Sequence, residues 1–237
     1  MSSGTTAWVA AKLAERKDVE VIERSPEGFL AVRARGGYEF AVAVLGVPAS
    51  RVIELADVEP LFLGRSKPEL VINVPSGTLW SGAAIDRVHA AFASFGTLGD
   101  VARAAKTGDA GSFRDGGMGY FITAMTQHSN VASVSYVYDS VVRAERRHGG
   151  PITVAVIDAY NMGAEHVRNA RARVGSFDVI VKSSSYGGIS AAAQAAAMDM
   201  GAQALGVRDL MKRLGKVCIN RDSLCLPPIP PTETMPV

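Results

Sequence analysis

Residues 70–105, LVINVPSGTLWSGAAIDRVHAAFASFGTLGDVARAA, align without gaps on residues 179–214, VIVKSSSYGGISAAAQAAAMDMGAQALGVRDLMKRL, at an offset of 109. Val71 falls on Ile180, Ser81 on Ser190, Asp100 on Asp209 and Val101 on Leu210. Each copy reads as an apolar strand, a Ser/Gly-containing turn, a helix, a short strand or loop, and an Asp-plus-aliphatic step opening a basic helical end. Upstream, FLAVRARGGYEFAVAVLG and SVVRAERRHGGPITVAVID are two hairpin-like runs that superpose on their glycine pairs, Gly36-Gly37 and Gly149-Gly150, at an offset of 113. AWVAAKLAER then falls near YFITAMTQHS. Ala-rich helices match one another by composition, but several elements recurring in one order point to duplication.

The expected fold is therefore α/β with two related lobes, each a small mixed sheet flanked by helices. The element order in each is helix, strand, strand, strand, helix or loop, strand, helix. The N-terminal lobe takes 1–106. The Gly/Asp-rich stretch within 107–117 reads as a linker, 118–216 as the C-terminal lobe, and 217–237 as a Pro-rich tail, extended or disordered.

Charge separates the halves. Residues 112–216 carry 12 Lys+Arg against 8 Asp+Glu, whereas residues 1–111 carry 12 against 13. The second half is the better candidate for an anionic partner. No apolar run approaches the roughly 20 residues of a membrane-spanning helix, and the N-terminus lacks the basic and apolar regions of a signal peptide, so the expectation is a cytoplasmic protein without a membrane partner. Cys218 and Cys225 make neither a CxxC nor a Cys/His cluster and read as reduced thiols. His89, His128, His148 and His166 are scattered without metal spacing or a nucleophile partner, and His128 reads as a helix-end residue.

The element order, together with VIVKSSSYGGISAAAQAAA and GVRDLMKRL, resembles the restriction-endonuclease-like, or PD-(D/E)XK, nucleases. The closing part is similar to their Mrr-type branch, and the resemblance covers residues 118–214. It implies a metal-dependent phosphodiester hydrolase using Mg²⁺ or Mn²⁺ and a nucleic-acid substrate. Carried over by position, Asp139 in YVYDSVV is similar to the first acid of the family site and Asp158 in VAVIDAYN to the second; both would be metal ligands. Tyr160 stands where the family has its Lys. The resemblance leaves three outcomes open: Lys182 supplies the ammonium from the next strand, the site is dead and the lobe binds, or the family is a different one. In the first lobe Leu45 and Pro26 take the positions of Asp158 and Asp139, and Asn73 that of Lys182, which makes that lobe a non-catalytic copy and a candidate pseudo-two-fold partner of the second. A homo-oligomer or a protein partner is compatible with the same reading. VAVIDAYNMG is also similar to the opening of NYN/PIN-type ribonucleases through Asp158 and Asn161, with Asp178, Asp199 and Asp209 left as further acids.

KSSSYGG has two readings. Lys182, the hydroxyls of Ser183, Ser184 and Ser185, flexible glycines and a following helix N-terminus would suit a phosphate, although P-loop spacing is absent. Alternatively Ser190 caps the helix and Gly187-Gly188 make the bend. The candidate nucleic-acid contacts are Arg143, Arg168, Arg171, Ser183, Ser184, Arg208 and Lys212, with the 168/171 and 208/212 spacings each falling on one helix face. A non-catalytic protein that uses the same scaffold for binding is the rival to the nuclease.

Overall fold

The computed structural model describes residues 3–215, so the Pro-rich tail and both cysteines lie outside the described residues. The chain is α/β, with two five-stranded mixed sheets flanked by helices. The first lobe contains α1 (Ser3–Ala14), β1 (Val19–Arg24), β2 (Leu30–Ala34), β3 (Glu39–Leu45), α2 (Leu55–Val58), β4 (Leu70–Asn73), α3 (Gly82–Ala90), β5 (Ser94–Thr97) and α4 (Leu98–Thr107). The second contains α5 (Gly116–Thr126), β6 (Val131–Tyr138), β7 (Val141–Arg146), β8 (Ile152–Ile157), α6 (Ala164–Val174), β9 (Val179–Lys182), α7 (Ala191–Asp199), β10 (Gln203–Gly206) and α8 (Val207–Leu214).

Both sheets have their strands in chain order, and both start as an antiparallel meander and end in two parallel pairings. The parallel strands are covered on both faces. LVIN and VIVK are buried along their whole length, as expected of strands sandwiched between helix layers. In the first lobe α1 and α4 cover one face, with Val9, Leu13, Val101 and Ala104 in the core, while α3 covers the other through Ile85 and Val88. In the second, Phe121, Met125, Leu210 and Leu214 bring α5 and α8 to one face; Val167, Ala193 and Ala197 bring α6 and α7 to the other.

The duplication extends to details. Ser81 and Ser190 both cap the following helix, accepting from the amides of Ala84 and Ala193 at 3.3 and 3.1 Å. Isolated parallel bridges Ile53–Trp80 and Met162–Ile189 recur at the offset of 109. The hairpins keep a different offset. Leu45 pairs with Asn73 and Ile157 with Lys182, so Gly46, and not Leu45, takes the place of Asp158. Asp139 sits in a two-residue turn between β6 and β7, whereas residues 25–29 join β1 to β2; Asp139 thus has no counterpart at Pro26.

The stretch 107–117 joins the lobes but does not hang free between them. Ala110 and Phe113 are buried in the first lobe's core, the Ser94 hydroxyl donates to Ala110 O at 2.6 Å, and the Ala110 amide donates to Tyr38 Oη at 2.8 Å. Nor do the lobes meet through a two-fold. The N-terminal end of α3 docks on β6, where Ser81 bridges Tyr138 and the Asp139 amide donates to Trp80 O at 3.1 Å. α7, the counterpart of α3, packs on α6 within its own lobe, and β1, the counterpart of β6, keeps an exposed face. The contact is heterologous, using a different surface from each lobe.

Gly82 permits this docking. A Cβ there would overlap the Tyr136 carbonyl oxygen and stand 2.8 Å from its carbon. The repeat places Ala191 at the equivalent point of α7, where the residue is exposed.

Candidate functional site

The docked lobes enclose a cleft of about 320 Å³ at the C-terminal ends of the parallel strands of the second sheet. Its floor is aromatic. Phe95 lies 5.1 Å from Trp80 and 6.3 Å from Tyr136 between ring centroids, the latter pair edge-on. The second lobe contributes Asp139, Ser140, Asp158 and Ser183; the strap before α5 contributes Arg114 and Asp115; α4 contributes Asp100 and Arg103.

Asp139 and Asp158 come to one end of the sheet because β7 runs antiparallel to β8, with Val141 opposite Ala155 and the Val156 amide donating to Ser140 O at 2.8 Å. Both line the cleft. Asp158 is exposed and has no hydrogen-bond or ion-pair partner among the described residues. Asp139 keeps partial exposure, but its Oδ1 is buried without a hydrogen-bond partner. Burial pushes its carboxyl up to about 6, opposed by the positive charge of Arg173 and by backbone amides. On the other side of the seam, burial pushes the His89 imidazole down to about 4, helped by the charge of Arg114. His89 packs on Phe95 and Tyr136, with its Nε2 buried and unpartnered. Burial also raises the Tyr136 phenol and lowers the Arg114 guanidinium.

Lys182 is the main departure from expectation. It pairs with Ile157 and shares the face of Ile180 in the α6/α7 core, opposite the face of Val156 and Val181. Its side chain is buried, and its ammonium donates to Ser184 O at 2.5 Å and to Tyr186 O. It is not among the residues of the cleft. Asn73 does the corresponding work in the first lobe, donating to Val47 O, Pro75 O and the Thr78 hydroxyl and accepting from the Val47 amide. Both residues close the loop after a buried strand.

KSSSYGG is accordingly a closed loop and not an open cradle. Gly187 has φ +72°, and a Cβ there would overlap the Tyr160 carbonyl; the Gly188 amide donates to Asn161 Oδ1 at 2.9 Å. Ser184 bonds within the loop to Tyr186, and only Ser183 reaches the cleft. Tyr160 lies beyond the end of β8 and is exposed, so the alternation expected to place it beside Asp158 stops at Ile157.

The candidate nucleic-acid contacts do not form one surface. Arg143, ion-paired to Glu145, and Arg168 and Arg171 lie on the α6 side of the sheet, with Arg171 over the Phe177 ring; Arg208 and Lys212 lie on α8, across the sheet. Asp178 accepts from the Thr153 amide at 2.7 Å, at the opposite end of β8 from Asp158, and Asn161 is engaged with Gly188, so no NYN/PIN-like acid cluster forms there. His128 ends α5, with its Nε2 3.1 Å from Met211 O.

Sequence reading missed Arg103, Arg114, Asp115 and Tyr136, which reach the site only through lobe docking. Gly82, Gly117 and Gly119 were the available signals of close approach; Gly117 stands against the Ser183 hydroxyl and Gly119 against Arg114 Cβ. Among the described residues no group of three or more His, Cys, Asp or Glu side chains is arranged to hold a metal ion, and no helix is long and apolar enough to cross a membrane. The chain matches no family model, no curated protein and no solved structure.

Proposed function

We propose that the chain is a non-catalytic binding protein built from two restriction-endonuclease-like lobes, with the interlobe cleft as its ligand site. The topology reading is supported by the helix–meander–helix–strand order and by the parallel pairing of β8 with β9. One observation carries the functional reading. The Lys182 ammonium is buried against Ser184 O and Tyr186 O on the α6/α7 side of the sheet, and no lysine among the described residues lines the cleft. Asp139 and Asp158 therefore lack a lysine ammonium beside them to stabilise charge developing on a scissile phosphate, and the cleft's Arg103 and Arg114 are held by Asp100 and by backbone carbonyls.

A second reading, metal-dependent nuclease, is favoured by the convergence of Asp139 and Asp158 on one cleft. Incubation of single- and double-stranded DNA and RNA with Mg²⁺ or Mn²⁺ separates the two. The expected result is identical product for wild type and Asp158→Ala, at the level of a protein-free blank. Cleavage that disappears with Asp158→Ala would establish the nuclease instead.

A further inference from the structure

Four carboxylates and two guanidiniums line the cleft, and most of them are already committed. Asp100 Oδ2 accepts from the amide and hydroxyl of Thr97, and its Oδ1 holds Arg103 at 2.5 Å. Asp115 caps α5 through the amides of Gly117 and Met118 and stands 4.0 Å from Arg103. Arg114 donates to Gly111 O and Phe113 O at 3.1 and 2.6 Å. Asp139 and Asp158 remain.

The buried Oδ1 of Asp139 is an acceptor with nothing to accept from, and Asp158 is a second unpaired carboxylate in the same cleft. Arg173, whose charge acts on Asp139, donates its Nη2 to Gly77 O at 3.0 Å. An anion entering here would meet two carboxylates without a side-chain partner among the described residues, while Arg103 is paired with Asp100 and Arg114 is turned to two backbone carbonyls. A cation would meet both acids beside the aromatic side chains of Phe95 and Tyr136.

We infer that the interlobe cleft binds an organic cation: an ammonium or amidinium group on a compact apolar or aromatic body, its charge between Asp139 and Asp158 and its body against Trp80, Phe95 and Tyr136. The volume of about 320 Å³ suits a molecule at the small end of ligand sizes. The inference rests on the reading of the cleft as a ligand site and adds the chemical class. Free amines and the Lys or Arg side chain of a peptide share this chemistry.

The test is calorimetric titration of the full chain at pH 7.5 with benzylammonium, benzamidinium, uncharged benzyl alcohol and Nα-acetyl-lysine methylamide. At least one cation should bind about 10-fold or more tighter than benzyl alcohol, a difference of about 1.4 kcal/mol. Asp158→Asn and Asp139→Asn should each weaken that binding by about 10-fold, while Asp199→Asn, at the exposed end of α7 and outside the cleft, leaves it unchanged. Tighter binding of the lysine amide than of benzylammonium assigns a peptide side chain, and the reverse a free amine. Equal affinity for benzylammonium and benzyl alcohol, affinity indifferent to both Asp variants, or no cation binding at tens of millimolar would overturn the inference. If benzyl alcohol or adenosine monophosphate binds in the cleft while the cations do not, the cation class fails and the ligand site stands. Asp158-dependent nucleic-acid cleavage, scored separately, overturns the underlying reading.

Discussion

Gly82→Ala is expected to lower the unfolding free energy by about 3 kcal/mol, the upper end for overpacking, because the added methyl meets backbone and not a side chain that can turn away. The obstacle is the Tyr136 carbonyl in β6, whose position is fixed by pairing with Val142. Relief requires α3 to withdraw from β6, breaking the Ser81–Tyr138 bridge and the Asp139 amide bond to Trp80 O. Urea denaturation should show the lowered midpoint. In a Trp8→Phe background, where Trp80 is the only tryptophan of two left, its emission should shift to the red in the native baseline. Ala191→Gly, the same exchange reversed at the repeat position, should cost only about 0.5–1 kcal/mol through helix propensity, since nothing docks there. Equal effects at the two positions would mean that the lobes are not held by this approach.

The second large effect is in the pH dependence of stability. Asp139 has a folded pKa of about 6 against an ordinary 3.8, so the folded state takes up its proton first; its stabilising contribution is complete below 3.8 and is lost as pH rises through 6. His89 has a folded value of about 4 against 6.5, so its contribution is complete above 6.5 and is lost as pH falls through 4. Each shift corresponds to about 2–3 kcal/mol, taken at the lower figure for the partly screened His89. The groups oppose each other between pH 4 and 6. Relative to wild type, Asp139→Asn should gain stability at pH 7 and lose about 2 kcal/mol more on acidification to pH 4, whereas His89→Phe should lose less by a similar amount. Denaturation series at pH 4, 5, 6 and 7 on the three proteins decide it. Parallel curves for all three would show that neither side chain is buried at the seam.

Much of the α/β layout is legible in the residues because it depends on local rules. Alternation in FAVAVL and ITVAVI, continuous apolar runs in LVI and VIV, and serines at 81 and 190 specify strands and capped helices within a few residues of where they form. The strap is illegible for the opposite reason. GDAGSFRDGG carries turn chemistry throughout, and only tertiary contact with Tyr38 and Ser94 buries Ala110 and Phe113. Gathering Asp139 and Asp158 at one sheet end follows from strand direction. The direction of Lys182 does not, because a strand-end side chain turns with the loop that follows it. Asn73 at the equivalent position was the clue, since an amide closing one loop predicts a loop-closing ammonium in the other. Docking by Gly82 cannot be read from either lobe alone.

The assignment of the cleft to Asp158, and of Lys182 to its loop, is tested most directly by the benzylammonium affinity of Lys182→Met measured beside its unfolding free energy. Removing the ammonium leaves two loop carbonyls without their donor, so stability should fall by about 1–3 kcal/mol. Affinity should stay within about twofold of wild type, less than 0.5 kcal/mol. A Lys182→Met protein of unchanged stability whose affinity shifts by about tenfold would place the ammonium in the cleft beside Asp158 and contradict the assignment.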